Sequence, residues 1–314
     1  MSATQSAGVM ENPGAVAARP TIRRSARGKR GDGLAALAFL TPYLVFFVLF
    51  LAYPFVWGIW ISLHDWELVG KVRNYIGLAN YWDMFEDPLF LLSIRNTFLF
   101  TLMTVPAMVV VSLGLALALN RDTRFHAVLR VIFFTSSVFS VTVATLIWIM
   151  VLSPDRGLVA HLFRSVGMQP IAFLGSPDWA MPALTVTTVW WSVGFPMILF
   201  LAGLQQIPQE IYDAARIDNA SAWRRLTCIT LPSLRRTIVL VVVLQIIAQL
   251  QLFGQTLIMT GGGPADRTRS MVQTIYETGF TEWQLGYASA MSLFLFGVMF
   301  LASMLQLYIS RQED

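Results

Sequence analysis

Apolar and polar positions in this chain fall into long blocks and do not alternate. Six stretches, residues 34–63, 97–119, 131–152, 180–204, 237–259 and 285–308, contain no Asp, Glu, Lys, Arg or His. Each exceeds the roughly 20 residues that a membrane-spanning helix needs, so the pattern predicts an all-α, polytopic membrane protein with six transmembrane helices. An even number of crossings places both chain ends on the same side. The first stretch holds 30 residues, about 45 Å of helix against a hydrocarbon core of about 30 Å. Its surplus length, with Pro42 and Pro54 inside, predicts tilt or a kink. Trp57, Trp60, Trp66, Tyr81, Trp82, Trp179 and Tyr308 gather near span ends, where amphipathic rings suit the headgroup layer. No internal repeat is evident, so an inverted-repeat carrier gains no support.

Residues 1–33 read as a basic, disordered cytoplasmic tail, 34–310 as one membrane domain and 311–314 as a short cytoplasmic end. The leading apolar run is too long for the core of a cleaved signal peptide, so it is expected to stay as the first membrane helix. Composition agrees with a membrane protein: 56% of the 314 residues are hydrophobic, 13% are charged, and mean hydropathy is +0.62. A soluble domain averages about a quarter charged residues, and a disordered chain lacks such apolar content.

The net charge of +4 and pI near 9.5 raise the question of nucleic acid, which the placement of the charges answers. With the N-terminus in the cytoplasm, 15 of the 22 basic residues fall in inside segments, and the outside segments hold 7 basic against 10 acidic residues. That asymmetry follows the positive-inside rule. The basic pI reflects topology, and nucleic acid is not an expected partner.

The segment 205–236 is longer than a simple helix connection, for which two to eight residues are usual. Pro208 suits a first helical turn, and Ile211, Ala214, Ala215 and Asp218 share one face at i, i+3, i+4 and i+7. Asn219 tolerates the left-handed conformation that a reversal requires, and Ser221 can cap a second short helix. Trp223, Leu226 and Ile229 give that helix an apolar face, which Pro232 is expected to end. The prediction is a helix-turn-helix elbow in the cytoplasm.

At these residues the sequence resembles the EAA loop of inner-membrane permeases of binding-protein-dependent ABC importers. The family pattern is Glu-Ala-Ala, Asp-Gly-Ala and Ile-x-Leu-Pro; here it reads Asp213-Ala214-Ala215, Asp218-Asn219-Ala220 and Ile229-Thr230-Leu231-Pro232, with the spacing intact. Asp213 keeps the charge of the usual Glu on a shorter arm, and Asn219 replaces the usual Gly. Arg95-Asn96-Thr97, Thr260-Gly261-Gly262-Gly263-Pro264 and Leu285-Gly286-Tyr287-Ala288 are similar to the maltose-type carbohydrate-uptake branch.

The resemblance covers residue 34 to the C-terminus. It implies a permease subunit in the cytoplasmic membrane of a prokaryote, paired with a second, non-identical permease subunit. It further implies two ATPase subunits that bind ATP and Mg, an extracytoplasmic solute-binding protein, and an ATPase-coupling loop made of Asp213, Ala214, Ala215, Asp218, Asn219, Ala220, Leu226, Ile229, Leu231 and Pro232. Sugar-contact offsets of the family fall on Gln245, Ala248, Gln249 and Leu252. The preceding helix contributes Thr188, Ser192 and Phe195, which share a face at i, i+4 and i+7.

Other chemistry finds little footing. No Gly-x-x-x-x-Gly-Lys-Ser/Thr occurs, so the chain has no Walker loop of its own, and it is expected to hold no cofactor and not to be an enzyme. His64, His126 and His161 belong to segments on alternating sides, and the single cysteine, Cys228, gives neither a disulfide nor a metal cluster. Ion-coupled carriers bury ionisable residues in their spans, and none is found in the six stretches. A channel or a non-transport scaffold are the readings from other classes. A disaccharide, a polyol and a glycerol-phosphate compound all remain open as solute.

Overall fold

A computed structural model describes residues 29–68 and 73–311 of the chain. Most of the expected tail over 1–33, and residues 312–314 of the expected C-terminal end, lie outside the described residues. The chain forms two compact units, Met1–Phe55 and Val56–Asp314. In the first, α1 (Lys29–Phe47) begins before the apolar stretch and passes through a π-helical turn, Val48–Ala52, into α2 (Tyr53–Ser62), in which the boundary between the units falls. Side chains such as Phe39 and Phe50 are 88% and 70% exposed, a surface suited to lipid or another protein.

The second unit opens with a small antiparallel hairpin of β1 (His64–Trp66) and β2 (Arg73–Tyr75), with His64 opposite Tyr75. Helices α3 (Ala79–Glu86), α4 (Pro88–Leu119), α5 (Arg124–Ser136), α6 (Val141–Leu152) and α7 (Leu158–Ser165) follow. Next come α8 (Ala180–Ser192), α9 (Gly194–Gln205), α10 (Gln209–Ile217), α11 (Ala222–Arg225), α12 (Leu231–Ser233) and α13 (Arg235–Leu250). The chain closes with α14 (Gly254–Met259), α15 (Met271–Tyr276) and α16 (Leu285–Arg311).

Among the described residues, three helical segments are long and apolar enough to cross a membrane by themselves: Ala38–Ser62, Pro88–Leu119 and Leu285–Leu305. Three further pairs qualify only together, each bent at a short break. Arg124–Ser136 meets Val141–Leu152 at 96°, Ala180–Ser192 meets Gly194–Gln205 at 54°, and Ala222–Ser233 meets Arg235–Leu250 at 68°. The chain is therefore a predominantly helical, multi-pass membrane protein with three to six spans.

The breaks have local causes. Ser140 caps α6 by accepting from the Val143 amide at 3.3 Å, which starts a new helix inside the apolar run 131–152. The run 237–259, read from sequence as one helix, stops at Leu250 and resumes at Gly254, because Phe253 takes φ −145°, ψ −67°. The second span starts earlier than its apolar stretch. Asp87 Oδ1 accepts from the Leu89 amide at 2.8 Å and Pro88 occupies the first turn, so Arg95 and Asn96 lie inside α4.

Unbroken over 32 residues, α4 is the pillar of the second unit and contributes to all three apolar clusters. Its C-terminal part packs Ala116 and Leu119 against Met197, Phe200 and Leu204 of α9, and Val241 of α13 joins them. Phe100 joins Leu184, Leu152 and Met259; Phe90 joins Met84, Leu250, Met271 and Met291. Along the same helix Ser93, Thr97, Thr101, Thr104 and Ser112 are buried. Thr97, Thr101 and Ser112 donate to the carbonyl four residues back at 2.8, 2.8 and 2.5 Å, which satisfies their hydroxyls and leaves a narrow surface for neighbours.

Close approach is extreme at Gly194, the first residue of α9. A Cβ there would lie 2.6 Å from the carbonyl oxygen of Phe133 and 2.6 Å from Cα of Phe134, both in α5.

Candidate functional site

The segment after α9 folds as a helix-turn-helix whose turn the sequence explains atom by atom. Pro208 precedes α10, and the helix ends at Asp218. Asn219 takes φ 54°; its amide donates to Arg216 O at 3.0 Å and the Ala220 amide to Ala215 O at 2.9 Å. This is a Schellman cap, which requires a left-handed residue at the position Asn219 holds. The Asp218-Asn219-Ala220 motif is thus the stop of one helix, and Ser221 starts the next by accepting from the Arg224 amide at 3.2 Å. Tyr212 and Thr230 share a 2.9 Å hydrogen bond that ties the two arms together.

Pro232 does not end the second arm. Having no N–H, it disturbs the ladder one turn earlier, and Leu226–Thr230 widens into a π turn, with the Leu231 amide on Leu226 O. The helix then runs through Pro232 to Ser233, and the break comes at Leu234, which is fully buried. Val48–Ala52 stands in the same relation to Pro54.

The exposed side of the elbow differs from the sequence reading. Ala214 is exposed whereas Ala215 is buried against its own chain, and Leu226, Ile229 and Leu231 are half-buried. Of the residues placed on those faces Trp223 and Ile211 do project, at 72% and 43% exposure, and Ile217 joins them at 81%. Asp213 stands beside them, its Oδ1 accepting from Arg216 Nη1 at 2.9 Å and from Gln209 Nε2 at 3.3 Å. Both members of this ion pair are more than half exposed, and such a surface pair is worth roughly 0–1 kcal/mol, so a partner's cation can displace Arg216 at little cost.

The residues expected along a solute path fall on α8, α9 and α13, which all pack on α4, and just beyond the end of α13. Gln245 and Gln249 are buried, and Gln249 Nε2 donates to Gln245 Oε1 at 3.0 Å. Ala248, on the adjoining face, is exposed. Leu252 lies beyond the end of α13, in the apolar cluster with Phe100 and Met181. On α8, Ser192 Oγ donates to Thr188 O at 2.7 Å, and the Thr188 hydroxyl, buried, has no partner among the described residues. Phe195, in α9, is half exposed. Gln251 is exposed and Gln255 is buried.

Two of the three remaining motifs are joined to each other, and the third is tied to the start of the same helix. Asn96 Nδ2 donates to the carbonyls of Asp266 and Arg269 at 2.7 and 3.1 Å, and Thr97 Oγ1 accepts from the Met271 amide at 2.9 Å. Arg95-Asn96-Thr97 therefore fastens the loop that begins with Thr260-Gly261-Gly262-Gly263-Pro264. Tyr287 OH donates to Asp87 Oδ2 at 3.0 Å, which ties α16 to the cap of α4. The buried hydroxyl stripe of α4 was not foreseen. Its signal was the recurrence of Ser and Thr at spacings of three, four and eight along the helix.

Comparison with known proteins places these features in a lineage. Residues 110–313 match the family model described as "Binding-protein-dependent transport system inner membrane component". A sulfoquinovosyl glycerol transport system permease protein of Agrobacterium fabrum is 33% identical over 90% of this chain and 92% of its own. A trehalose/maltose transport system permease protein of Thermococcus litoralis is 31% identical over 88% of this chain and 92% of its own. The crystal structure of a bacterial alginate ABC transporter, bound to a periplasmic protein carrying alginate pentasaccharide, contains a chain of the same fold. Its TM-score is 0.79 at 23% identity, over 91% of this chain and 96% of that one. The chain belongs to the binding-protein-dependent transport system inner membrane components, as a permease subunit that is not itself an enzyme.

Proposed function

We propose that this chain forms half of the membrane pathway of an ABC importer for a carbohydrate or related polyol, and that 205–236 is the cytoplasmic elbow through which a separate ATPase drives it. A glycerol-phosphate-type solute is the second reading. The observation that carries the coupling role is the exposure of Ile217 and Trp223 on a rigidly capped helix-turn-helix. Large apolar side chains in this position are anchors in search of a groove. The family's dependence on a binding protein, and relatives named for sugar transport, support the solute class. The partners are a second permease subunit, two ATPase subunits that hold ATP and Mg, and an extracytoplasmic solute-binding protein. ATP-dependent uptake of a labelled sugar into proteoliposomes holding the complete complex tests the reading, and uptake independent of ATP would point to a channel.

The orientation has both termini and the elbow in the cytoplasm, supported by the 15-to-7 basic asymmetry. Cys228, the single cysteine, is exposed on the elbow. It should resist an impermeant maleimide added outside intact cells and react in inverted vesicles. Ser165→Cys in a Cys228→Ser chain should show the opposite pattern; the reverse result would overturn the topology.

The solute path is proposed to run along α13 and α8, where Gln245, Gln249, Thr188 and Ser192 supply polar groups in an apolar surround, with Ala248, Leu252 and Phe195 alongside. Gln249→Ala should raise the half-saturation for uptake about threefold to tenfold, the worth of one hydrogen bond to the solute. A change confined to the amount of protein in the membrane would mean that the amide pair serves packing alone.

A further inference from the structure

The importer reading leaves the charge of the solute open, and the following rests on that reading. A cavity of about 500 Å³ lies between the N-terminal part of α4, the start of α8 and the loop before α15; Arg95, Asn96, Met103, Asp178, Met181 and Arg267 are among its lining residues. Arg95 and Arg267 are exposed, and neither guanidinium has a hydrogen bond or ion pair among the described residues.

Of the other described arginines outside the expected cytoplasmic segments, Arg73, Arg164 and Arg269 are engaged, whereas Arg156, exposed, lies away from this cavity's lining. Arg73 lies 4.3 Å from the centre of the Trp66 ring, and Arg164 donates to the carbonyls of Asp155 and Pro154 at 2.9 and 3.0 Å. Arg269 pairs with Asp266 at 2.8 Å and also with Glu277. The cavity carries two guanidinium groups against one carboxylate, Asp178, and an anion between the arginines would offset the repulsion that remains.

A second observation concerns how the two are held. The Asn96 amide follows Arg95 directly and bonds the carbonyls of Asp266 and Arg269, which flank Arg267. One side chain therefore fixes both arginine-bearing segments relative to each other, the preorganisation that a recognition site needs. The cavity also stands at the head of a defined face. Met181, Thr185, Thr188 and Ser192 follow at i, i+4, i+7 and i+11 along α8, so the face that begins at the cavity leads to the unpartnered Thr188 hydroxyl.

We propose that this cavity is the entry subsite of the path and that it selects a sugar or polyol bearing a carboxylate, sulfonate or phosphate group. The guanidinium groups of Arg95 and Arg267 take the anionic oxygens through paired N–H donors. Leu99, Met103 and Met181 give the ring an apolar wall.

The test uses the complete complex, with its binding protein, in proteoliposomes. The probes are neutral sugars and polyols beside their uronate, sulfonate and phosphate counterparts. Uptake is expected for an anionic probe, with half-saturation raised about tenfold or more by Arg95→Gln together with Arg267→Gln and only partly restored by lysine at both positions, which returns the charge without the paired donors. Asp178→Asn, at an exposed position, is expected to shift half-saturation about twofold the other way by removing an opposing charge, and it keeps the proposal testable should the double variant fail to assemble. Uptake of neutral probes alone, or an anion half-saturation insensitive to all these changes, would overturn the proposal. So would an equal loss of affinity for the empty binding protein, which would make the arginines a protein-docking surface. If no probe of either class is taken up, the importer reading itself falls.

Discussion

ATP-driven uptake is expected to fall at least about fiftyfold when Asp213→Ala is combined with Ala214→Trp, the loss typical of removing an anchor from the centre of an interface. Asp213 is the one carboxylate in the first arm's motif, and its bond to Arg216 is an exposed pair that a stronger cation can replace. Ala214 is the exposed alanine of the two, so an indole there stands out from α10 without disturbing the Schellman cap that Ala215 serves through its carbonyl. Bulk at 214 would block close approach of a partner while the elbow stays folded. The double variant should therefore reach the membrane at normal levels and assemble poorly with the ATPase, as pull-down from detergent would show. Uptake within twofold of the parent chain would refute the coupling role of this face.

Gly194→Leu is expected to abolish the folded permease. The space for a Cβ is already taken by the carbonyl oxygen of Phe133 and by Cα of Phe134, at 2.6 Å each, and neither is the tip of a side chain that could swing aside. Relief requires α5 and α9 to separate, with loss of packing around Met197 and Phe200. A cost of roughly 3 kcal/mol or more follows from such overpacking against backbone. The measurement is the fraction of chain that stays monodisperse after extraction and resists limited proteolysis. Phe195→Leu, one residue on and half exposed, serves as the control and should behave as the parent chain.

What could be read from the sequence follows from what each signal measures. The apolar stretches stood out because charges are costly in lipid, and their helical character needed nothing more. The bends did not stand out. Val193 and Gly194 are apolar, and what separates α8 from α9 is contact with another helix, which no window along the chain registers. The turn at Asn219 was legible because a single residue type and a fixed spacing specify it. By contrast, Ala214 and Ala215 are identical in composition and differ only in what packs on them, so their unequal exposure lay beyond the pattern. Thr101 and Ser112 carry no signal for a related reason: hydroxyls that bond their own helix look neutral on any hydropathy scale. The union of Arg95-Asn96-Thr97 with the loop after Thr260 joins positions 170 and more residues apart, a relation that one sequence without structure leaves invisible.

Arg130 gives the charge asymmetry a second meaning. Its Nε and Nη2 donate to the carbonyl of Leu119 at 3.1 and 2.8 Å, and Nη2 also reaches the carbonyl of Arg121 at 2.8 Å, which closes the C-terminal end of α4. In the orientation proposed, the same cation acts twice in the life of the protein. At synthesis it helps to decide which way the nascent span enters the bilayer; after folding it becomes the lid on the pillar helix. Selection at this position therefore sees biogenesis and architecture together, and lysine, equal in charge but without the planar fork of donors, satisfies only the earlier of the two demands.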